Sequence, residues 1–375
     1  MTDNALSIGM IGLRGIPAAE GGVERAVEEL SVRLAARGHR VTVFCRKPYC
    51  KERPEVYQGV HLRYLPCINT KHLEAFSHTA LVTGLNLVSR SIDVFHFHAM
   101  GPALFSALPR ALGRPVVATV QGLDYERAKW GGFASNFLRM CALAAGAFPE
   151  ETIVVSQKLQ RHYREKYGRN TTYVPNTITI LPEKPLPADN RFGLVPGKYV
   201  LFLGRIVPEK GVHYLIEAFR GIETDYHLAI CGGAHHMEDY MEELRSKAGE
   251  DPRIHFVGPV FGEDKENIFS SAAVYVHPSE IEGLPIALLE AMSHSRCVLV
   301  SDIEENVETV GADPVCGRLF RSGDVKSLQT ELAYLLAQPE ERDLLGKMAR
   351  ERVAKEYSWD GIADKVEAVY RRVCS

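Results

Sequence analysis

LSIGMIGLRGIPAAEGGVERAVEELSVRLAARGHRVTVFCR, residues 6–46, decides the fold. Its opening, LSIGMIGL, is an apolar run ending in glycine, the pattern of a strand buried on both faces. A glycine-rich loop, RGIPAAEGG, follows. VERAVEELSVRLAARG then places apolar residues at 23, 26, 27, 30 and 34, a helical stripe that Gly38 stops. HRVTVFCR resumes as a strand. Strand, loop, helix and strand in one stretch make a βαβ unit and hence a parallel sheet.

The alternation runs on through VHLRYL, IDVFHFH, RPVVATVQG, ETIVVS and TTYVP, with helical segments between. It starts afresh at KYVLFLGR (198–205) and continues through the helix GVHYLIEAFRG and the strands YHLAICGG, RIHFVG, AAVYVHPS and CVLVSD. Between the two series, LPEKPLPADNRFGLVPG (181–197) carries four prolines, two glycines and little periodicity, the composition of a linker. The fold class expected is α/β, with two Rossmann-like doubly wound domains at 1–180 and 198–357 joined by 181–197. SWDGIADKVEAVYRRVCS, from about 358 to 375, reads as a last helix capped by Ser358, with a stripe at 362, 366, 369 and 373.

The chain has 375 residues, 46% hydrophobic and 24% charged, which suits a soluble globular protein of two ordinary domains. No charge-free apolar run reaches the roughly 20 residues that span a bilayer. MTDNALSIGMIGL lacks the basic first region of a signal peptide. Eight cysteines are scattered without a C-x-x-C pair, as in a reducing compartment, so a cytoplasmic location is expected. Residues 1–180 hold 22 basic and 14 acidic residues, a net +8, against 22 and 33 in the rest of the chain, a net −11. A basic half suits an anionic membrane surface or a phosphorylated ligand, and a chance difference between domains would look the same. Nucleic acid is not expected as a partner, because no dense Lys/Arg tract or aromatic-basic signature occurs.

In open α/β sheets, ligands bind beyond the carboxyl ends of the strands. Four such ends carry candidates. At the first, Gly21 and Gly22 open a helix whose amides suit a phosphate; a plain turn is the alternative. A dinucleotide fingerprint fits poorly, since Gly9, Gly12 and Gly15 miss its spacing and the second strand ends in Cys45-Arg46, leaving only a variant that binds a 2′-phosphate. At the second, FLGRIVPEKG, Arg205 and Lys210 flank a strand-to-helix loop, a forked and a point cation suited to a pyrophosphate. At the third, HPSEIEGLPIALLEAM (277–292), Glu282 and Glu290 bracket a Gly-Leu-Pro turn. Proline favours the first helical position, so the helix starts near Pro285, and a polar pocket forms with an acceptor at each end and free amides between. A sugar fits such a pocket. At the fourth, DVFHFHAMGP, His96 and His98 share one strand face; no third residue with ligand spacing stands nearby, so zinc is not expected. His98, nearer the strand end, is the better placed to meet substrate, and His96 packs. No D-x-D pair is present to hold a divalent ion on a diphosphate, so no metal or other cofactor is expected.

Together these residues resemble glycosyltransferase family 4, retaining nucleotide-sugar transferases with the GT-B fold. The GGVE loop, the H-F-H strand end, G-R-x-x-P-E-K-G, F-V-G and H-P-S-x-x-E-G-L-P-x-x-L-L-E-A-M occur in the family's order across nearly the whole chain. The resemblance implies two domains facing across a cleft, with the final helix returning to the first. It implies that Glu290 accepts from the donor ribose and that Glu282 contacts the sugar. Amides of Gly283, Leu284 and Ile286, at the Pro285 turn, would cradle hydroxyls. Arg205 and Lys210 would hold the diphosphate and stabilise the leaving group, with Gly22 approaching from the first domain. The base would lie against Val257-Gly258, and His98 by the anomeric centre. Two stretches depart from the family's pattern: Val120-Gln121-Gly122 stands where many members have Thr-His-Gly, and Glu282-Gly283-Leu284-Pro285 replaces E-G-F-G. Segment 121–130 resembles one in bacterial surface-polysaccharide transferases, so Gln121, Arg127, Lys129 and Trp130 would meet a saccharide or lipid-linked acceptor; a helix start with surface charges is the alternative. The implied activity is metal-independent transfer of a sugar, from UDP- or GDP-sugar, to a glycan in polysaccharide or cell-envelope synthesis; the basic first half and the segment ending in Trp130 add an expectation of peripheral contact with an anionic membrane. A sugar-nucleotide epimerase, needing no acceptor, and a non-catalytic nucleotide-sugar binder are the other readings of the same motifs.

Overall fold

The computed structural model describes residues 5–18, 22–70, 73–89, 91–123, 132–233, 237–313 and 315–375. The chain divides into two compact units, Met1–Thr177 with Trp359–Ser375, and Ile178–Ser358. Each is built on one sheet.

In the first unit the strands are β1 (Ser7–Ile11), β2 (Arg40–Arg46), β3 (Val56–Tyr57), β4 (Val60–Leu65), β5 (Val94–His98), β6 (Val116–Val120), β7 (Glu151–Val154) and β8 (Thr172–Tyr173). Their order is β3-β4-β2-β1-β5-β6-β7-β8, all parallel apart from β3, which runs against β4. Every residue of β5 and β6 is buried, which is why both read as continuous apolar runs. β1 lies between β2 and β5, so the chain leaves it first to one side and later to the other. That reversal opens a crevice at the carboxyl ends of β1 and β5. Gly12, just after β1, has φ 107, and a Cβ there would lie 2.6 Å from the His98 carbonyl oxygen. Only glycine fits.

The helix Trp359–Cys374 belongs to this unit. Its residues Trp359, Ile362, Ala363, Val366, Val369 and Tyr370 share one core with Val27, Leu30 and Leu34 of the helix Gly22–Ala36. The Tyr370 hydroxyl lies 2.6 Å from His96 Nδ1, and Thr119 Oγ1 lies 2.7 Å from Nε2. Burial, reinforced by the neighbouring His98, pushes the His96 imidazole well below its ordinary value. A neutral ring between two hydroxyls is a packing element, as the position of His96 in its strand suggests.

The second unit holds β9 (Tyr199–Leu203), β10 (His227–Cys231), β11 (Ile254–Gly258), β12 (Val274–His277), β13 (Cys297–Ser301) and β14 (Arg318–Phe320), in the order β11-β10-β9-β12-β13-β14. All are parallel. Here the reversal falls between β9 and β12, which pair through Val200 with Val274 and Leu201 with Tyr275. Residues 181–197, read from composition as a linker, are fastened to this unit. The amides of Lys184 and Leu186 donate to the hydroxyls of Ser270 and Ser271 at 3.2 and 2.7 Å, and Gly197 N donates to Ser271 O at 2.8 Å. The division between units therefore falls at Thr177 and Ile178 rather than across a free tether. Two strands escape a reading of the sequence. β3 has two residues and β14 three, too few to display a period.

Candidate active site

The reversal in the second sheet sets two loops side by side. After β9 the chain passes Gly204 and Arg205 into a 3-10 turn, Pro208–Lys210, and Gly211 leads into the helix Val212–Arg220. After β12 it passes Pro278–Pro285 into the helix Ile286–Ser293, with Pro285 as its cap. Glu280 N donates to Glu209 O at 3.0 Å across the two loops. Gly211 has φ 66, and a Cβ there would fall 2.2 Å from Pro278 O, so the close approach requires glycine. Ser301, at the end of β13, donates its hydroxyl to Ser279 O and holds the second loop from below.

Lys210 Nζ pairs with Glu282 Oε1, and their side chains are 15% and 8% exposed. The same oxygen lies 2.7 Å from His277 Nε2, and Tyr275 Oη lies 3.0 Å from His277 Nδ1. An ionised carboxylate only accepts, so Nε2 carries the imidazole proton and Nδ1 accepts from the tyrosine. Burial raises the Glu282 carboxyl, but the Lys210 charge and then the His277 bond outweigh it and hold the group well below the usual carboxylate range. For His277 burial prevails over Glu282, and the ring is held below its ordinary value.

Glu290 is held in the same way. Its Oε1 accepts from Lys265 Nζ at 2.6 Å, from side chains 18% and 10% exposed. Each glutamate thus has a lysine of its own. The sequence reading places an acceptor at each end of the turn and names no counter-charge for either; the structure supplies a lysine to each, because a carboxylate so far removed from water needs one. Lys210, grouped in the sequence with Arg205 as a cation suited to a pyrophosphate, is also engaged by Glu282. Between the glutamates, Leu284 and Pro285 are buried, Gly283 and Ile286 are half-buried, and Ile286 and Ala287 open the helix with amides that have no intrahelical acceptor.

Arg205, Lys210, Val257, Gly258, Glu282 and Glu290 all lie in the second unit, the first four at or just beyond the ends of β9 and β11. Arg205 is exposed; Gly258 has φ 82, and its carbonyl accepts from Gly232 N at 2.9 Å. Gly22, His98 and Gln121 lie in the first unit, and Gly21, Arg127, Lys129 and Trp130 lie outside the described residues. Gly22 is exposed at the first residue of its helix. His98 is only 2% exposed; its Nε2 is 3.4 Å from Met10 Sδ, its Nδ1 has no partner among the described residues, and burial pushes it down to about 3. It lines a cavity of about 40 Å³ with Thr119, Gln121 and Asn176, and Asn176 Nδ2 donates to Gln121 Oε1 at 2.9 Å. The next residue, Ala99, adopts φ 73 and ψ 158, a conformation nearly confined to glycine. Strain of that kind collects at functional positions. Arg46 is buried beneath the glycine loop, donating to Gly12 O at 3.0 Å and pairing with Glu74 at 3.3 Å, so it is not offered to a 2′-phosphate. Among the described residues no three His, Cys, Asp or Glu side chains gather as metal ligands.

The sequence reading missed His277, Lys265, Glu266 and His294. His277 stands in the same motif as Glu282, at a strand end. Lys265 had a subtler signal. It sits in the first turn of the helix Gly262–Ser271, where the helix dipole disfavours a cation unless an anion faces it.

A double-mutant cycle tests the buried pair. Lys210→Met should destabilise the second unit by about 3 kcal/mol, because it strands the Glu282 charge. The exposed pair Lys184–Glu263, at 3.0 Å, should couple by under about 1 kcal/mol in the same assay. Since the Glu282 carboxyl lies below its ordinary 4.5, the pair's contribution is full above that pH and declines as pH falls below it. The gap between wild type and Lys210→Met, read by chemical denaturation, should narrow in acid.

Known proteins share the family and the fold of this chain. Residues 191–352 match the family described as glycosyl transferases group 1, and residues 20–180 match glycosyltransferase family 4. Alpha-maltose-1-phosphate synthase of Mycobacterium tuberculosis is 33% identical over 309 residues, 75% of this chain and 79% of that protein. Sucrose-phosphate synthase of Thermosynechococcus elongatus superposes with a TM-score of 0.84 at 23% identity, over 98% of this chain and 99% of that one. HepE of Anabaena, in complex with UDP-glucose, superposes with a TM-score of 0.81 at 18% identity, over 98% and 100%. The fold of both units is therefore GT-B, and the chain belongs to glycosyltransferase family 4.

Proposed function

We propose that the protein transfers a sugar from a nucleoside-diphosphate sugar, UDP- or GDP-linked, to a saccharide or lipid-linked acceptor, with retention of anomeric configuration and without a metal ion. The observation that carries this reading is the pair of lysine-held glutamates flanking the Gly283-Leu284-Pro285 turn, at the carboxyl edge of a parallel sheet. Lys210 has three ammonium hydrogens, so it keeps Glu282 and still donates to a diphosphate. Arg205 adds a forked donor at the same loop. As the glycosidic bond breaks, negative charge grows on the departing diphosphate, and cations already in place stabilise it without reorganising. Glu282 and the amides at Ile286 and Ala287 then suit the sugar's hydroxyls, and Glu290 the ribose. His98, held neutral, acts as a hydrogen-bonding group in this scheme and not as a charged acid. The family membership and the UDP-glucose complex of HepE support the choice of donor.

A role in polysaccharide or cell-envelope synthesis, in the cytoplasm with peripheral contact to an anionic membrane, completes the reading. Residues 75–89, AFSHTALVTGLNLVS, contain no charged side chain, although they form the surface helix Glu74–Asn86 and the turn after it. Phe76, Leu85 and Val88 are 41%, 57% and 89% exposed. An uncharged, apolar outer face on a unit of net positive charge suits an acidic lipid surface. Among the described residues no helix is long and apolar enough to cross a membrane.

Calorimetric titration with UDP, GDP, ADP and their sugar conjugates, in EDTA, tests the donor. One nucleotide series should bind, and Glu290→Ala should weaken it by about tenfold or more, the value of a lost charged hydrogen bond. Absence of binding throughout would refute the donor assignment. Sedimentation with phosphatidylglycerol vesicles should exceed that with phosphatidylcholine, and Leu85→Asp with Val88→Asp should abolish the difference; equal sedimentation with both lipids removes the membrane from the scheme.

A further inference from the structure

Lys265 is a lysine in an expensive place. It is 8% exposed and stands at the positive end of a helix. Its Nζ lies 2.6 Å from Glu290 Oε1 and 3.5 Å from Glu266 Oε1. Glu266 Oε2 is in turn 2.7 Å from His294 Nε2, whose Nδ1 is 3.0 Å from Ser270 Oγ. The His294 ring stacks on Phe269, with centroids 5.8 Å apart and planes within 7°. A carboxylate cannot donate, so Nε2–H points to Glu266 and the serine hydroxyl fills Nδ1. The chain from Ser270 to Lys265 is fixed at every link, and it delivers one ammonium against one face of Glu290.

Two valences are left over. Among the described residues, Glu290 Oε2 has no hydrogen-bond partner, and neither has the third hydrogen of Lys265 once its two carboxylates are satisfied. A spare acceptor and a spare donor thus stand side by side. The helix that carries Lys265 begins four residues after Gly258, where the resemblance seats the base. A cis-diol is the matching ligand, because each hydroxyl both donates and accepts. One hydroxyl gives its proton to Glu290 Oε2; its neighbour takes one from Lys265. The cluster of Glu266, Glu290 and Lys265 carries a net negative charge, so a phosphate on either hydroxyl would be repelled.

We propose that Lys265, beside the glutamate already assigned to the ribose, donates to the neighbouring hydroxyl of the cis-diol and makes the site selective for ribonucleotides over their deoxy forms. This rests on the nucleotide-sugar reading above. The test titrates the full chain with whichever of UDP, GDP or ADP binds best, and with its 2′-deoxy and 3′-deoxy forms. Wild type should prefer the ribonucleotide by about tenfold over at least one deoxy form. Lys265→Met should lose about that factor on the ribonucleotide and nothing further on the deoxy form that lacks the hydroxyl it served. Lys265→Arg, which keeps a donor, should restore part of the preference. Equal weakening of all three ligands by Lys265→Met would make it a purely structural residue and overturn the proposal. So would a wild type indifferent to the deoxy change, a result that needs no variant to fold. Failure of every nucleoside diphosphate to bind would instead sink the donor reading, and this proposal with it.

Discussion

The buried pair of Lys210 and Glu282 is the interaction on which the loops of the second unit depend. A carboxylate so buried could not be held there alone; its desolvation is offset chiefly by the Lys210 charge and then by the His277 hydrogen bond. The carboxylate draws the proton of His277, His277 draws the hydroxyl of Tyr275, and Tyr275 is anchored in the core of β12. The loop after β9 is thereby locked onto the loop after β12, and Gly211 exists to let them touch. In the proposed scheme a lysine already desolvated and oriented meets an arriving diphosphate without first searching for it, the condition under which electrostatic stabilisation is most effective.

The second pair repeats the device for a different purpose. Lys265 leaves Glu290 one oxygen to accept with, as Lys210 and His277 together leave Glu282 its Oε2. Two glutamates without counter-charges would repel a nucleoside diphosphate. On the proposed reading, a lysine on each lets the turn between them keep its acceptors for hydroxyls while its charge stays low enough for phosphate to approach. At the His98 end of the first unit, burial holds the imidazole neutral, and the next residue, Ala99, adopts a backbone conformation nearly confined to glycine.

The fold was legible because its signals are local. The run from Leu6 to Arg46 carries its own strand, helix and strand, and the prediction that a helix starts near Pro285 lands within one residue of Ile286. The pairings within the site were not legible, because they are set by topology. Lys210 and Glu282 are 72 residues apart, and Lys265 and Glu290 are 25 apart; only the strand order brings them together. Composition misled at 181–197, where prolines and glycines signal a tether but Ser270 and Ser271 supply partners for the amides of Lys184 and Leu186. His98 was singled out by its place at a strand end, while its burial depends on a helix that arrives from residue 359 onward.

A crystal structure of the chain with a bound nucleoside diphosphate tests the lysine-held glutamates most directly. A phosphate oxygen within hydrogen-bond distance of Lys210 Nζ, with Glu282 still bonded to His277 and the ribose at Glu290, is the expected result. A nucleotide seated elsewhere, with both lysine–glutamate pairs untouched, would contradict it.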